Sequence, residues 1–178
     1  MVELRTNRLL LREFREEDWP ALHAVESLPE VALYQHFDPR TAEESRDYVL
    51  GSIESAGEDP RDTYDLAIVL PEEDRVVGRC GFAITDPDQR EAVLWYTLHP
   101  DAWGHGITTE AARAVVDFAF RELKLHRVWA ECDPRNPGSW RVLEKIGMRR
   151  EGHFIENVWL KGEWCDSLMY AVLDREWG

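Results

Sequence analysis

Residues Trp103 to Phe118 read WGHGITTEAARAVVDF, and the fold turns on that run. Before it, Ala92 to Leu98 is apolar and strand-like, and Pro100 then breaks the strand. Gly104 and Gly106 follow, and from there the apolar positions take helical spacing. A glycine loop that opens a helix leaves main-chain N–H groups without partners inside the helix. Aligned with the positive end of the helix dipole, those donors form a receptor for phosphate. Within the helix the polar positions Arg113, Asp117, Arg121 and Lys124 mark a narrow stripe, so most of its surface must be packed. Arg127–Cys132 (RVWAEC) is strand-like again. Strand, helix, strand at this separation predicts one right-handed crossover joining two parallel strands.

Outward from that unit, the chain alternates in the same way. Leu9 to Phe14 reads as a strand, and Glu16–Asp18 starts a helix carrying Trp19, Leu22 and Val25 on one face. Thr41 with Glu44 forms a capping box for a second helix reaching about Ala56. Tyr64–Leu70 and Arg75–Ile84 predict an antiparallel hairpin. After the crossover, Asn136 and Pro137 supply an N-cap and a first helical position. Trp140, Leu143 and Ile146 give that helix its buried face, and Gly147 stops it. Phe154–Leu160 and Cys165–Val172 close the chain as a hairpin about Lys161-Gly162-Glu163. The expected fold is α+β (mixed α/β). It has a central, mostly antiparallel sheet of about seven strands, one parallel pair bridged by a helix, and about four helices. The breaks at Ser55–Asp62, Pro71–Asp74 and Asp86–Gln89 are too short to separate domains, so residues 1–178 are expected to form one domain.

Bulk composition narrows the class. With 44% apolar residues and eight Trp, the chain can fill a core and is not of disordered type. No apolar run is long enough to span a membrane, and MVELRTNRLL lacks a secretory signal. Cys80, Cys132 and Cys165 are odd in number and widely spaced, as expected of reduced thiols in a cytoplasmic protein. The six histidines show no metal-ligand spacing, so no metal is expected. A net charge of −14 disfavours nucleic acid and favours a cationic partner, while also serving solubility.

Three phosphate ligands compete for the glycine loop. A nucleoside triphosphate loop needs Lys-Ser/Thr after the last glycine, whereas Ile107-Thr108 follows Gly106. A dinucleotide fingerprint would want a third glycine at Thr109 and an immediate turn after the strand, where Pro100-Asp101-Ala102 intervene. Glu131 stands where its acidic residue would fall, yet only one crossover unit exists. The third reading is a family resemblance. The loop, the strand LWYTLHP before it and the later NPGSWRVLEKIGM resemble the GNAT superfamily of acetyl-CoA-dependent N-acetyltransferases. More narrowly they resemble its RimJ/RimL-type, ribosomal-protein-serine/alanine N-terminal group. The likeness runs from TNRLLLR near the start to the closing GEWCD hairpin.

That resemblance implies acetyl-CoA as cosubstrate and assigns roles. The diphosphate of coenzyme A would lie on Trp103, Gly104, His105, Gly106, Ile107, Thr108 and Thr109. Leu98, with His99 beside it, would offer main-chain groups to the pantetheine arm and a donor to the thioester carbonyl. Asn136 would touch the same arm, and Ser139 would lie near the sulfur and protonate the departing thiolate. Thr108 stands where the family has Gly or Ala, and Trp95 where its fourth strand has Gly. Trp95 would reshape the acceptor channel. By the same analogy Tyr34, His36 and Phe37 overlie the acceptor, and Trp159 and Trp164 wall a groove. Glu156 and Asp166 are the candidate bases for the amine, which must lose a proton before attacking in a ternary complex. The expected partners are acetyl-CoA and a cationic peptide N-terminus or small amine, with a homodimer as one option. The alternatives to N-terminal acetylation are acetylation of a small cationic amine (a polyamine, an antibiotic or an amino acid derivative) and a non-catalytic acyl-CoA sensor.

Overall fold

The computed structural model describes residues Met1–Gly178. The strands are β1 (Glu3–Arg5), β2 (Leu10–Glu13), β3 (Thr63–Leu70), β4 (Arg75–Asp86), β5 (Glu91–Leu98), β6 (Arg127–Cys132), β7 (Arg149–Leu160) and β8 (Glu163–Leu173). The helices are α1 (Trp19–Glu26), α2 (Pro29–Ala32), α3 (Ala42–Ala56), α4 (Ile107–Arg121) and α5 (Pro137–Lys145). All eight strands form one sheet in the order β1-β2-β3-β4-β5-β6-β8-β7. Only β5 and β6 run parallel, and α4 is the crossover between them.

Local signals behave as their chemistry dictates. The Thr41 hydroxyl accepts from Glu44 N–H at 3.2 Å while the Glu44 carboxylate accepts from Thr41 N–H at 2.8 Å, so α3 begins with a reciprocal cap. The Asn136 side chain accepts from Ser139 N–H at 3.2 Å and caps α5. Buried Ile107, Ala111, Ala112, Val115, Val116, Ala119 and Phe120 seat α4 against the sheet, as its narrow polar stripe requires. That face holds the main core, to which α5 adds Leu143 and its C-cap Ile146.

Two elements lie beyond the pattern read from the sequence. β1 is three residues long with Glu3 and Arg5 exposed, and it exists by pairing with β2. α2 is a four-residue turn after Pro29. β7 also begins at Arg149, five residues before the alternating run, because β8 is in place to pair with Arg149 and Arg150. Cross-strand partners, not local propensity, make the two strand segments regular.

The opposite face carries α1 and α3 over a smaller cluster of Phe14, Leu22, Val49, Ala67, Val69 and Val76. Beside this cluster lies a buried charge network. Glu26, at the end of α1 and with no exposed surface, accepts from Arg79 at 2.6 Å, Arg40 at 2.7 Å and Thr97 at 3.0 Å. Asp65 accepts from Tyr48 at 2.8 Å and Trp95 at 2.9 Å, with Arg79 at 3.6 Å. Burial alone would lower the Arg79 guanidinium, but the negative groups around it, Asp65 and Glu26, outweigh that and raise it. Two carboxylates and two guanidiniums thus balance in the interior. Glu26→Gln leaves both arginines undercompensated, and urea unfolding should show a loss of about 3 kcal/mol or more. Arg46→Gln, which breaks an exposed pair with Glu16 at 3.4 Å, should change stability by less than about 0.5 kcal/mol.

Candidate active site

The loop between β5 and α4 is built by its glycines. Gly104 (φ 78°) and Gly106 (φ 76°) both take the left-handed conformation that side chains resist. Ala102 N–H donates to His99 at 2.9 Å and Trp103 N–H to Pro100 at 2.9 Å; the next such donor is Glu110, to Gly106 at 3.0 Å. Between them, the N–H groups of Gly104, His105, Gly106, Ile107, Thr108 and Thr109 have no acceptor in the chain. They lie at the positive end of a 15-residue helix. Free donors grouped at a helix N-terminus are chemically suited to an anion.

The strand before the loop is shaped for a second purpose. His99 N–H donates to Val77 in β4 at 2.8 Å. By the alternation of an antiparallel ladder, the N–H and C=O of Leu98 therefore turn away from β4, toward β6. There β6 is gone: the parallel pairing covers only Glu91–Val93 against Arg127–Trp129. A clamp fixes the closed end, where His126 and Arg127 N–H groups donate to Arg90 and the Arg127 side chain pairs with Glu91 at 2.8 Å. At the open end the Leu98 carbonyl accepts from the Trp103 indole at 2.8 Å, which anchors the loop to the strand. His99 does likewise, accepting Asp101 N–H on Nδ1 at 3.2 Å.

Where the strands part lies a cleft of about 300 Å³. Its walls include Trp95 and Tyr96 from β5, Trp129, Glu131 and Cys132 from β6, Asn136 and Ser139 at the α5 start, and Asp166 and Ser167 from β8. Tyr34 and His36 from the α2–α3 connection complete it. A neighbouring cavity of about 310 Å³ shares Tyr34 and Leu160 with it, so the groove continues toward the β7–β8 turn.

Of the side chains expected about the acceptor and the sulfur, Tyr34, His36, Trp95, Asn136, Ser139 and Asp166 line one cleft. Trp159, Trp164, Phe37 and Glu156 lie outside it. Trp159 and Trp164 pair edge to face at 5.2 Å on the exposed side of the hairpin, because Val158, Leu160 and Cys165 take the cleft side of the pleat. Phe37 lies under Arg40 at 4.5 Å, outside the cleft. Glu156 sits in a bulge of β7 with φ 46°, its side chain exposed and away from the cleft. Its contribution is its N–H, which donates to Asp166 at 2.8 Å. That bond and the His153 ring at 2.7 Å hold the Asp166 carboxyl below its ordinary range, so it is anionic at neutral pH.

Tyr96, Trp129 and Glu131 were not legible as site residues. The Tyr96 hydroxyl donates to the Ser139 carbonyl at 3.1 Å and lies 3.0 Å from the Ser139 hydroxyl. Burial pushes this phenol up, so it keeps its proton. Glu131 has no ionic partner within the chain. Asp133, by contrast, is buried and gripped by Arg135 at 2.7 Å. Strand parity on β5 was the available signal for Tyr96, since it shares a side with Leu94 and Leu98. The Asp65–Trp95 bond joins residues from separate strands and had no sequence signal.

A sheet splayed at its one parallel pair, with a phosphate-type loop at the splay, defines an acyl-CoA-type transferase scaffold. Residues 8–149 match the acetyltransferase (GNAT) domain, and the chain belongs to that family of acetyltransferases. It is 33% identical over 176 residues to the uncharacterized N-acetyltransferase YnaD of Bacillus subtilis, spanning 99% of each chain. A GNAT acetyltransferase crystal structure from Bacillus anthracis superposes with a TM-score of 0.88 at 32% identity, over 98% of this chain and 100% of that one. RimL, a ribosomal L7/L12 α-N-protein acetyltransferase solved with coenzyme A, shares the fold with a TM-score of 0.85 at 23% identity, over 97% and 98% of the two chains.

Of the two cysteines that line the cleft, Cys132 is chemically quiet. Burial pushes the Cys132 thiol up to about 12, which leaves only about one thiolate in ten thousand at pH 8. Thiol labelling at pH 8, read by mass spectrometry, should leave Cys80 and Cys132 unmodified in the folded protein and reach all three cysteines in urea.

Proposed function

We propose that the protein moves an acetyl group from acetyl-CoA to a primary amine by direct attack in a ternary complex, and that its acceptor is a protein N-terminal α-amine. The six unpaired amides from Gly104 to Thr109 carry this reading, because grouped main-chain donors at a helix start suit the diphosphate of coenzyme A. Trp103 and His99 brace that loop, and the Thr108 hydroxyl stands in the first turn as a further donor. From the loop, the pantetheine arm follows the open side of β5 past Leu98 toward Asn136 and Ser139.

Each step of the transfer then has a group. The ammonium of the acceptor is drawn by Asp166 and Glu131 and gives its proton to Asp166, which is partly open to solvent. The free amine attacks the thioester carbon. Negative charge on the carbonyl oxygen meets the Leu98 N–H, an interaction worth about 3 kcal/mol where one donor is well placed. The departing sulfur takes a proton from Ser139, whose hydroxyl lies against Tyr96 and regains a proton from solvent as the thiol forms. Cys132, kept as a thiol, is not a nucleophile, which accords with direct attack.

The continuation of the cleft past Tyr34 and Leu160 favours an acceptor longer than a simple amine, and the ribosomal-protein substrate of RimL supports a peptide N-terminus. The cleft carboxylates favour the second reading, a small cationic amine. No helix is long and apolar enough to cross a membrane, and the three free cysteines suit the cytoplasm.

Thiol release from acetyl-CoA across a panel of peptides and amines decides the acceptor class: turnover with peptides is expected, and turnover confined to polyamines would overturn the peptide reading. Ser139→Ala should lower kcat by at least about tenfold with coenzyme A affinity preserved. Gly106→Val forces a side chain into a left-handed position, at a local cost of about 1–2 kcal/mol. Calorimetry should show coenzyme A binding lost in a protein that still unfolds cooperatively.

A further inference from the structure

The β1–β2 loop reaches the phosphate-type loop through a set of contacts spanning about a hundred residues of sequence. Arg8 donates from Nε to Glu110 at 2.7 Å, pairs again through Nη2 at 2.6 Å, and gives its own N–H to the other carboxylate oxygen at 3.1 Å. Thr6 donates its hydroxyl to Glu110 at 2.6 Å. The remaining arm of the Arg8 guanidinium, Nη1, donates to the carbonyl of His105 at 2.9 Å. His105 is the residue between the two left-handed glycines. A Cβ on Gly106 would lie 3.6 Å from Arg8 Nη2, so the guanidinium stands at the helix mouth.

This arrangement solves a problem of charge. An acidic residue in a first helical turn ordinarily bonds its own helix's free amides or enjoys the dipole. Glu110 in that role would compete with an incoming anion and repel it. Here its carboxylate is turned away and saturated. Burial would raise it, but the bonds from Thr6 and Arg8 outweigh burial and hold it below its ordinary range. It is therefore an anion at neutral pH, and Arg8 is the cation beside it.

We propose that Arg8 and Glu110 are a positioning pair for the diphosphate-binding loop: Arg8 holds the His105 carbonyl, which sets the loop's amides outward, and cancels the Glu110 charge that would oppose a phosphate. The inference rests on the reading of the loop as the coenzyme A site. Neither residue donates to the ligand. Thr6 completes the saturation of Glu110.

Coenzyme A binding by calorimetry tests this in the full-length protein. Arg8→Gln should weaken binding by about tenfold or more, since it frees both the carbonyl and the carboxylate. Arg8→Lys, which keeps the charge and loses the fork, should fall between Arg8→Gln and the parent protein. The decisive variant is Arg8→Gln with Glu110→Gln. Removing the uncompensated charge should tighten binding at least about threefold relative to Arg8→Gln alone, a recovery that mere loosening of the fold would not give. Parent-like affinity in Arg8→Gln, or a double variant no tighter than the single, overturns the proposal. Gly106→Val separates the two levels. If it binds coenzyme A normally, the loop reading itself is lost; if it fails to bind while Arg8→Gln binds normally, only the positioning pair is refuted.

Discussion

Two parallel strands that pair for three residues and then part are the constraint on which this molecule depends. A parallel pair needs a crossover, and α4 supplies it, so the N-terminus of that helix must lie where β5 ends. The parting leaves the far half of β5 with no neighbouring strand on that side. Loop amides and strand amides therefore open onto one space, which α5 and the closing hairpin enclose. The glycine loop, a main-chain donor and a cleft become adjacent through topology, and the Trp103 indole then anchors loop to strand.

The two faces of the sheet stabilise this arrangement by different means. Beneath α4 the core is apolar and close to featureless chemically. Beneath α1 and α3 the apolar cluster is small, and Glu26, Arg79, Arg40 and Asp65 fill the remaining volume as a balanced set of charges. Charges buried this way add little net stability but strongly penalise any rearrangement that separates them. The set touches the cleft at two points. Arg40 lies at the end of the segment that brings Tyr34 and His36 over the cleft, and Asp65 holds the Trp95 indole in its wall. That wall of the cleft is thus fixed from behind.

Several parts of the site were legible because their chemistry is local. Glycines that need a left-handed backbone, an asparagine capping its own helix and a helix with one polar stripe each announce themselves within a few residues. Tyr96, Trp129 and Glu131 did not, since a strand residue joins a cleft only when the neighbouring strand departs. Trp159 and Trp164 misled for a related reason: alternation puts them on one face of β7 and β8, and only the placement of β6 decides which face meets the cleft. Glu156 lost its side-chain role to a bulge, a backbone irregularity with no local signature here.

By itself the sequence determined most of the elements and their order, the crossover, the glycine loop and the family likeness, because these depend on periodicity, caps and glycine within short spans. Tertiary structure alone decided how far β5 and β6 stay together, which carboxylates are paired and which face the cleft, and that Thr6 and Arg8 meet Glu110. Those outcomes join residues tens to a hundred positions apart, and pairing at such range is set by packing and charge balance over the whole sheet.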